Sequence, residues 1–204
     1  NVIGIWSSLI GKVSPIYDIR VTDGYSRHFL HFDNKDLTED ALGYMVENRF
    51  LRRAILRKML NCEEINYLAP VELASITRNK KGVYAVLTDG RKINATLIVG
   101  ADGRNSFVRR NAEIPVTSWP YKQAGIVCTV AHDKSHNNIA HERFFPGGPF
   151  AILPLKGNRS SIVWTENFDD ARLLIELSAD EFLSQLILYF CINHHLQIFH
   201  NIYY

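Results

Sequence analysis

Apolar positions along the chain follow two rhythms. Met45, Val46, Phe50, Leu51, Ile55, Leu56 and Met59 recur at helical spacing, with Arg and Lys on the opposite face. That spacing predicts an amphipathic helix over Leu42–Leu60, stopped at Asn61. Most of the remaining chain alternates or runs in short apolar blocks. Pro15–Thr22 reads as a strand anchored by Ile16, Ile19 and Val21, turning at Asp23-Gly24 into a returning strand over Phe29–Phe32. Residues 1–14 read as a helix end and a turn, and Asn34–Glu39 as a polar loop. A short strand is predicted over Ile65–Ala69. A meander over Val71–Thr77, Val83–Leu87 and Lys92–Asn94 follows, with turns at Asn79–Gly82 and at Asp89-Gly90. Leu97-Ile98-Val99 has no polar break and predicts a strand buried on both faces. Four more strands are predicted over Tyr121–Ala131, Glu142–Phe145, Phe150–Leu155 and Ser160–Thr165, then helices over Asp169–Glu176 and Ala179–Ile187, the second capped by Ser178. The last stretch, 188–204, is aromatic and almost uncharged. The interleaving predicts a mixed α/β fold carrying an antiparallel sheet.

Bulk properties narrow the class. At 204 residues, 47% hydrophobic and 22% charged, the chain has the composition of an ordinary globular protein. Its net charge of +2 gives no reason to expect nucleic acid as a partner. The basic run Arg49–Lys58 is explained as the wet face of the predicted helix. Cys62, Cys128 and Cys191 are odd in number and form no C-x-x-C, which reads as reduced thiols. No apolar stretch is long and clean enough to span a bilayer.

Chemistry concentrates in Ala95-Thr-Leu-Ile-Val-Gly-Ala-Asp102-Gly103-Arg-Asn-Ser106-Phe-Val-Arg109-Arg110. A strand, a glycine turn enclosing an acid and a helix start describe a ligand crevice at the edge of an open α/β sheet. Gly100 and Gly103 permit a tight turn and close approach, and the helix start offers N–H groups that favour a phosphate. Asp102 has two readings: an acceptor for ligand hydroxyls or water, or a turn residue capping the next helix. Arg109 suits a phosphate, or pairs on the surface with Glu113. His132, His136 and His141 lie in loop-like sequence without a carboxylate to complete a metal site, and His194-His195 is weaker still. Ser106 lacks the G-x-S-x-G elbow of a nucleophile, and no catalytic side-chain set can be assembled.

The motif G-A-D-G-x-x-S-x-V-R after an apolar run resembles the second flavin motif of the FAD-dependent aromatic hydroxylases, the group that includes para-hydroxybenzoate hydroxylase. Three further segments resemble the ubiquinone-biosynthesis branch: Asp18-Ile-Arg-Val-Thr-Asp23-Gly24, Gly43-Tyr-Met-Val-Glu47-Asn48-Arg49 and Phe145-Pro-Gly-Gly-Pro149-Phe-Ala-Ile-Leu-Pro154-Leu155. The resemblance runs from about residue 1 to about residue 185. It implies FAD as cofactor and NAD(P)H as electron donor, with hydroxylation of an aromatic ring carrying a polyprenyl tail. It places Asp102, Gly103, Asn105 and Arg109 near the flavin pyrophosphate and the path of the nicotinamide. Many relatives carry an Arg aligned with Asn48 that contacts FAD; here the Arg stands one place later, at Arg49, so either side chain is a candidate. Phe145, Pro149, Phe150, Ile152 and Pro154 become candidate walls of the substrate pocket, or core residues of the second sheet. The flavin would carry the oxygen chemistry, so no catalytic side chain is assigned. The resemblance also implies association with a membrane surface and with a multi-enzyme ubiquinone-biosynthesis complex, in the cytoplasm or at the inner face of the membrane.

The same resemblance divides the chain. Residues 1–14 and 41–114 would belong to a Rossmann-like FAD-binding domain with an inserted β-meander at 70–94. Residues 15–40 and 115–168 would form a substrate-domain sheet, 169–187 two helices, and 188–204 an atypical tail read past a frameshift or artificial boundary. G-x-G-x-x-G and the late G-D flavin motif are absent from the sequence. The chain therefore reads as the middle portion of a monooxygenase, expected neither to hold flavin tightly nor to hydroxylate by itself. Two other readings stay open: a non-catalytic substrate- or partner-binding module, and a flavin or NAD(P)H reductase without oxygenation.

Overall fold

The computed structural model describes residues 2–37, 40–191 and 199–203. It is a mixed α/β chain with several sheets, as its sequence pattern predicts. Two compact units divide it: Asn1–Lys58 with Pro120–Tyr204, and Met59–Trp119. The first half of the larger unit runs α1 (Trp6–Leu9), β1 (Val13–Ile16), β2 (Asp18–Asp23), β3 (Phe29–Asp33), α2 (Asn34–Leu37), β4 (Gly43–Val46) and α3 (Asn48–Leu60), whose last two residues fall in the smaller unit. The smaller unit holds β5 (Leu73–Asn79), β6 (Gly82–Leu87), β7 (Lys92–Ala95) and α4 (Phe107–Asn111). The chain then returns to the larger unit as β8 (Gln123–His132), β9 (Ile139–Phe145), β10 (Gly148–Leu155), β11 (Arg159–Asn167), α5 (Phe168–Ile175), α6 (Ala179–Cys191) and β12 (Phe199–Tyr203).

Seven strands of the larger unit form one sheet in the order β12-β8-β11-β10-β9-β2-β3. Its neighbours are antiparallel except β2 and β9, which run parallel. Register sets the core. Residues directly opposite one another share a face, so Ile126, Trp164 and Phe150 form one row and Cys128, Ile162 and Ile152 the next. Ala171 of α5 and Phe182 and Leu186 of α6 close over these rows. Ser178 and Glu181 begin α6 as a capping box: the Ser178 hydroxyl donates to Glu181 Oε2 at 2.6 Å, and the Ser178 N–H donates to the same oxygen at 3.0 Å. Burial pushes the Cys128 thiol up to about 11, keeping it protonated inside this core. A second cluster, Ile5, Leu9 and Ala54, is joined by Val13, Val46, Phe50 and Leu51.

Several elements differ from the sequence expectation. The helix begins at Asn48, and Gly43–Val46 is a strand paired antiparallel with β1. Met45 and Val46 fit a helical period only because a single residue, Glu47, separates the strand from the helix. Pro15–Thr22 splits at Tyr17, whose N–H donates to the Asn138 carbonyl at 3.0 Å and whose carbonyl accepts from Asn34 at 2.9 Å. β1 therefore joins β4, while β2 enters the large sheet. Asn34–Leu37 is a short helix rather than loop, and Thr38 and Glu39 lie outside the described residues. Ile65–Ala69 pairs with no strand among the described residues, and Ile65 and Tyr67 are exposed. In the atypical tail, Leu188–Cys191 continues α6 and Phe199–Tyr203 pairs with β8. Residues 192–198, with His194 and His195, lie outside the described residues.

In the smaller unit, β5, β6 and β7 form the expected antiparallel meander. Ile76, Val83 and Val108 make its core, with Leu73, Ile98 and Phe107 packed against them. Among the described residues, no helix is long and apolar enough to cross a membrane.

Candidate functional site

The Asp102 turn is built within the smaller unit. Leu97–Val99 does not form the expected strand: among the described residues no strand pairs with it. Ile98 packs inward, while Leu97 and Val99 remain 75% and 76% exposed. The two glycines serve different needs. A Cβ at Gly100 would lie 2.9 Å from Val108 Cβ, so this position lets the segment pack against α4. Gly103 sits at φ +82° with nothing within 4 Å of an added Cβ; its backbone conformation favours glycine, and the space beside it is open.

The Asp102 carboxylate faces its own helix. Oδ1 accepts from the Ser106 hydroxyl, and Oδ2 accepts from the N–H groups of Phe107 at 2.6 Å and Val108 at 3.1 Å. Ser106 Oγ accepts from the Arg109 N–H at 3.0 Å. The first-turn donors expected to favour a phosphate are therefore occupied, by a carboxylate the chain itself supplies. The Ser106 hydroxyl, helped by the Val108 and Phe107 N–H groups, holds the Asp102 carboxyl below the usual carboxylate range. A lowered folded pKa contributes stability above the unfolded value of about 3.9, which disappears as pH falls through the folded value. Asp102→Asn is expected to reduce hydrogen-exchange protection at Phe107 and Val108 at neutral pH. The gap between variant and wild type should close as pH drops below about 4; a gap constant with pH would contradict this account.

Arg109 follows on α4. It is half-buried, and its guanidinium has no ion-pair partner among the described residues; in particular it does not pair with Glu113. Asn105 is exposed beside Gly103. Below them, Arg78 of β5 donates to the Asn111 carbonyl at 2.5 Å and to Asn111 Oδ1 at 2.7 Å, fixing the end of α4 against the meander.

The other candidates belong to the larger unit. Asn48 is exposed at the start of α3. Arg49 Nη2 lies 2.8 Å from Glu47 Oε2, with its guanidinium 4.6 Å from the Phe50 ring centroid. The other Glu47 oxygen meets Arg159 Nη2 at 2.9 Å. Glu47 thus ties the entry of α3 to the start of β11, a role the sequence did not single out because the partners are far apart along the chain.

Phe145, Phe150 and Ile152, expected as pocket walls, lie in the core at 6%, 1% and 5% exposure, and Pro154 is fully buried. Their register beside Trp164, Ile162 and Ser160 turns them toward α5 and α6. Pro149 is half-buried on the opposite face of β10. Glu166 was also not singled out. It is 8% exposed, and Oε1 accepts from Trp164 Nε1 at 3.1 Å. A Cβ at Gly147 would meet its carboxylate, so a larger residue there would require the Glu166 side chain to move. The histidines bind backbone and strand: His132 Nε2 is 3.0 Å from Ser160 Oγ, and His136 Nε2 is 2.7 Å from the Leu155 carbonyl. Among the described residues no group of His, Cys, Asp and Glu could hold a metal ion.

Residues 46–188 match the family described as FAD binding domain, and the chain belongs to that family. Among its relatives, it is 47% identical over 186 residues to a ubiquinone hydroxylase, UbiL, of Rhodospirillum rubrum, covering 91% of this chain and 43% of the relative. It is 31% identical over 192 residues to the human mitochondrial ubiquinone biosynthesis monooxygenase COQ6, covering 88% of this chain and 40% of that protein. The chain therefore spans less than half the length of these relatives. The crystal structure of PqsL, described as a probable FAD-dependent monooxygenase from Pseudomonas aeruginosa, shares the fold with a TM-score of 0.76 at 23% identity, over 91% of this chain and 52% of that one.

Proposed function

We propose that this chain is the middle portion of an FAD-dependent monooxygenase that hydroxylates a polyprenylated aromatic ring in ubiquinone biosynthesis, with electrons from NAD(P)H. The observation that carries this reading is the open, left-handed turn at Gly103 followed by Arg109, which has no ion-pair partner among the described residues, inside a segment matching the FAD-binding family. These residues fit an anionic dinucleotide. The Gly103 backbone admits close approach, Arg109 supplies a permanent planar charge, and exposed Asn105 supplies an amide. Asp102 acts chiefly by holding the turn and α4 in place, while Asn48 and Arg49 offer further contacts to the cofactor. Bound FAD supplies the redox and oxygen chemistry. The protein's share is to hold the cofactor, align the ring and exclude water. For the substrate wall, Pro149 and its face of β10 remain the candidates, since Phe145, Phe150, Ile152 and Pro154 fill the core. A setting at the inner membrane face, within a complex of ubiquinone-biosynthesis enzymes, belongs to the same proposal.

The test is a chimera in which this chain replaces the matching 186 residues of the Rhodospirillum rubrum hydroxylase. It should copurify with FAD and restore ubiquinone in a strain lacking the parent enzyme, and Arg109→Gln in the chimera should weaken FAD retention. A folded chimera without FAD would overturn the assignment. The isolated chain should show no flavin spectrum at one equivalent.

A further inference from the structure

At one end of the large sheet, polar side chains occupy the face that is apolar core elsewhere. Arg20 of β2 stands between His31 of β3 and His141 of β9; Thr22 stands between Phe29 and Arg143. Arg143 pairs in turn with Phe150, so the polar rows continue those under α5 and α6. Arg143 is 7% exposed. Arg20 Nη2 donates to Asp18 Oδ2 at 3.0 Å, and its guanidinium lies 5.4 Å from the Phe29 ring centroid. His31 Nε2 is 2.9 Å from the other Asp18 oxygen. Asp33 shares the face, with its Oδ1 accepting from the Lys35 N–H at 3.0 Å.

Two donors in this cluster are left over. Among the described residues the buried atoms Arg20 Nε and Thr22 Oγ1 have no hydrogen-bond partner; the acceptor Asp18 Oδ1 makes no hydrogen bond either, its nearest donor being the His31 Nε2 in the ion pair. Their side chains project from the same face of β2, two residues apart. An unmet buried donor costs about 1–3 kcal/mol, more for a charged group. The local field is positive: burial, then the Arg20 and Arg143 guanidiniums, bring the His141 imidazole down to about 4 against the opposing pull of Asp18. Its neutral ring carries one N–H at physiological pH.

We propose that Arg20, Thr22, His141 and Arg143 form a receptor for one phosphate-type oxyanion, with the Arg20 Nε–H and the Thr22 hydroxyl as its free donors. The ligand is free phosphate or the phosphate of a lipid headgroup. The site is independent of the flavin reading, since none of its residues belongs to the candidate cofactor contacts.

The test follows the His141 ring resonance of this chain by NMR during titration with inorganic phosphate, with chloride at matched ionic strength as control. A saturable shift is expected, with the His141 pKa raised by about one unit or more, together with loss of the response in Arg20→Gln and weakening in Thr22→Val. Cosedimentation with phosphatidic acid vesicles over phosphatidylcholine vesicles, lost in Arg20→Gln, would assign the lipid source. No saturable shift with phosphate and no Arg20-dependent vesicle binding, or an equal shift with chloride, would leave an ordered water as the occupant and overturn the proposal. Circular dichroism checks that the variants fold, and the wild-type titrations decide the matter if they do not.

Discussion

Phe150→Ala is expected to destabilise the larger unit by about 3–5 kcal/mol. The Phe150 side chain is 1% exposed and meets Trp164 edge-on at 5.8 Å and Tyr189 at 5.7 Å. Its neighbours are opposite strands on a hydrogen-bonded ladder, so they cannot close over the vacated space. At about 2–4 °C per kcal/mol for a unit of this size, the melting temperature should fall by roughly 6–20 °C, provided the transition is reversible. Near-ultraviolet circular dichroism from Trp164 should lose intensity in the same variant before heating. Phe168→Ala is the control, because Phe168 is 62% exposed and its loss should stay within about 0.5 kcal/mol. Equal melting temperatures for the two variants would show that α5 and α6 do not seal this core.

Gly82→Ala is expected to disrupt the meander of the smaller unit. Gly82 has φ +139°, and an added Cβ would lie 2.5 Å from the Ala95 carbonyl oxygen. Ala95 is held in register against Val83, so its backbone cannot yield without loss of ladder bonds. Backbone strain of about 1–3 kcal/mol adds to overpacking of similar size. Hydrogen-exchange protection across β5, β6 and β7 should drop sharply. Gly90→Ala separates the two contributions: Gly90 has φ +87° but nothing within 4 Å, so only the strain should appear. Matching losses in both variants would mean that the Ala95 contact is unimportant.

The parts of the fold that were legible in the sequence depend on nearby residues. The meander, the β8–β11 strands and α5 and α6 each carry their own alternation, turn or cap. What was not legible depends on distant partners. Gly43–Val46 becomes a strand because β1 lies beside it, and the apolar period of α3 extends through it by coincidence. Leu97–Val99 is apolar enough for a buried strand, yet a strand needs a neighbour to share its hydrogen bonds, and none pairs with it among the described residues. The same limit applies to the site. Position, glycine turn and helix start around Asp102 could be read directly, but the carboxylate's choice of its own helix could not. The sequence leaves Phe150 and Ile152 as either pocket wall or core; their packing with Ala171, Phe182 and Leu186 places them in the core. Glu47 and Arg159 form a bridge visible only once both ends are placed.

The parallel pairing of β2 with β9 has a consequence for synthesis of the chain. Asp18–Asp23 leaves the ribosome long before Ile139–Phe145 exists. At about 5–20 residues per second, the β2–β3 hairpin waits on the order of ten seconds for its other neighbour. Until then Arg20 and Thr22 are open to water, and the whole Met59–Trp119 segment emerges in the interval. Slow codons or a chaperone bound between residues 33 and 139 would thus act on an unfinished sheet, and synthesis speed becomes a variable in how much protein reaches the native state.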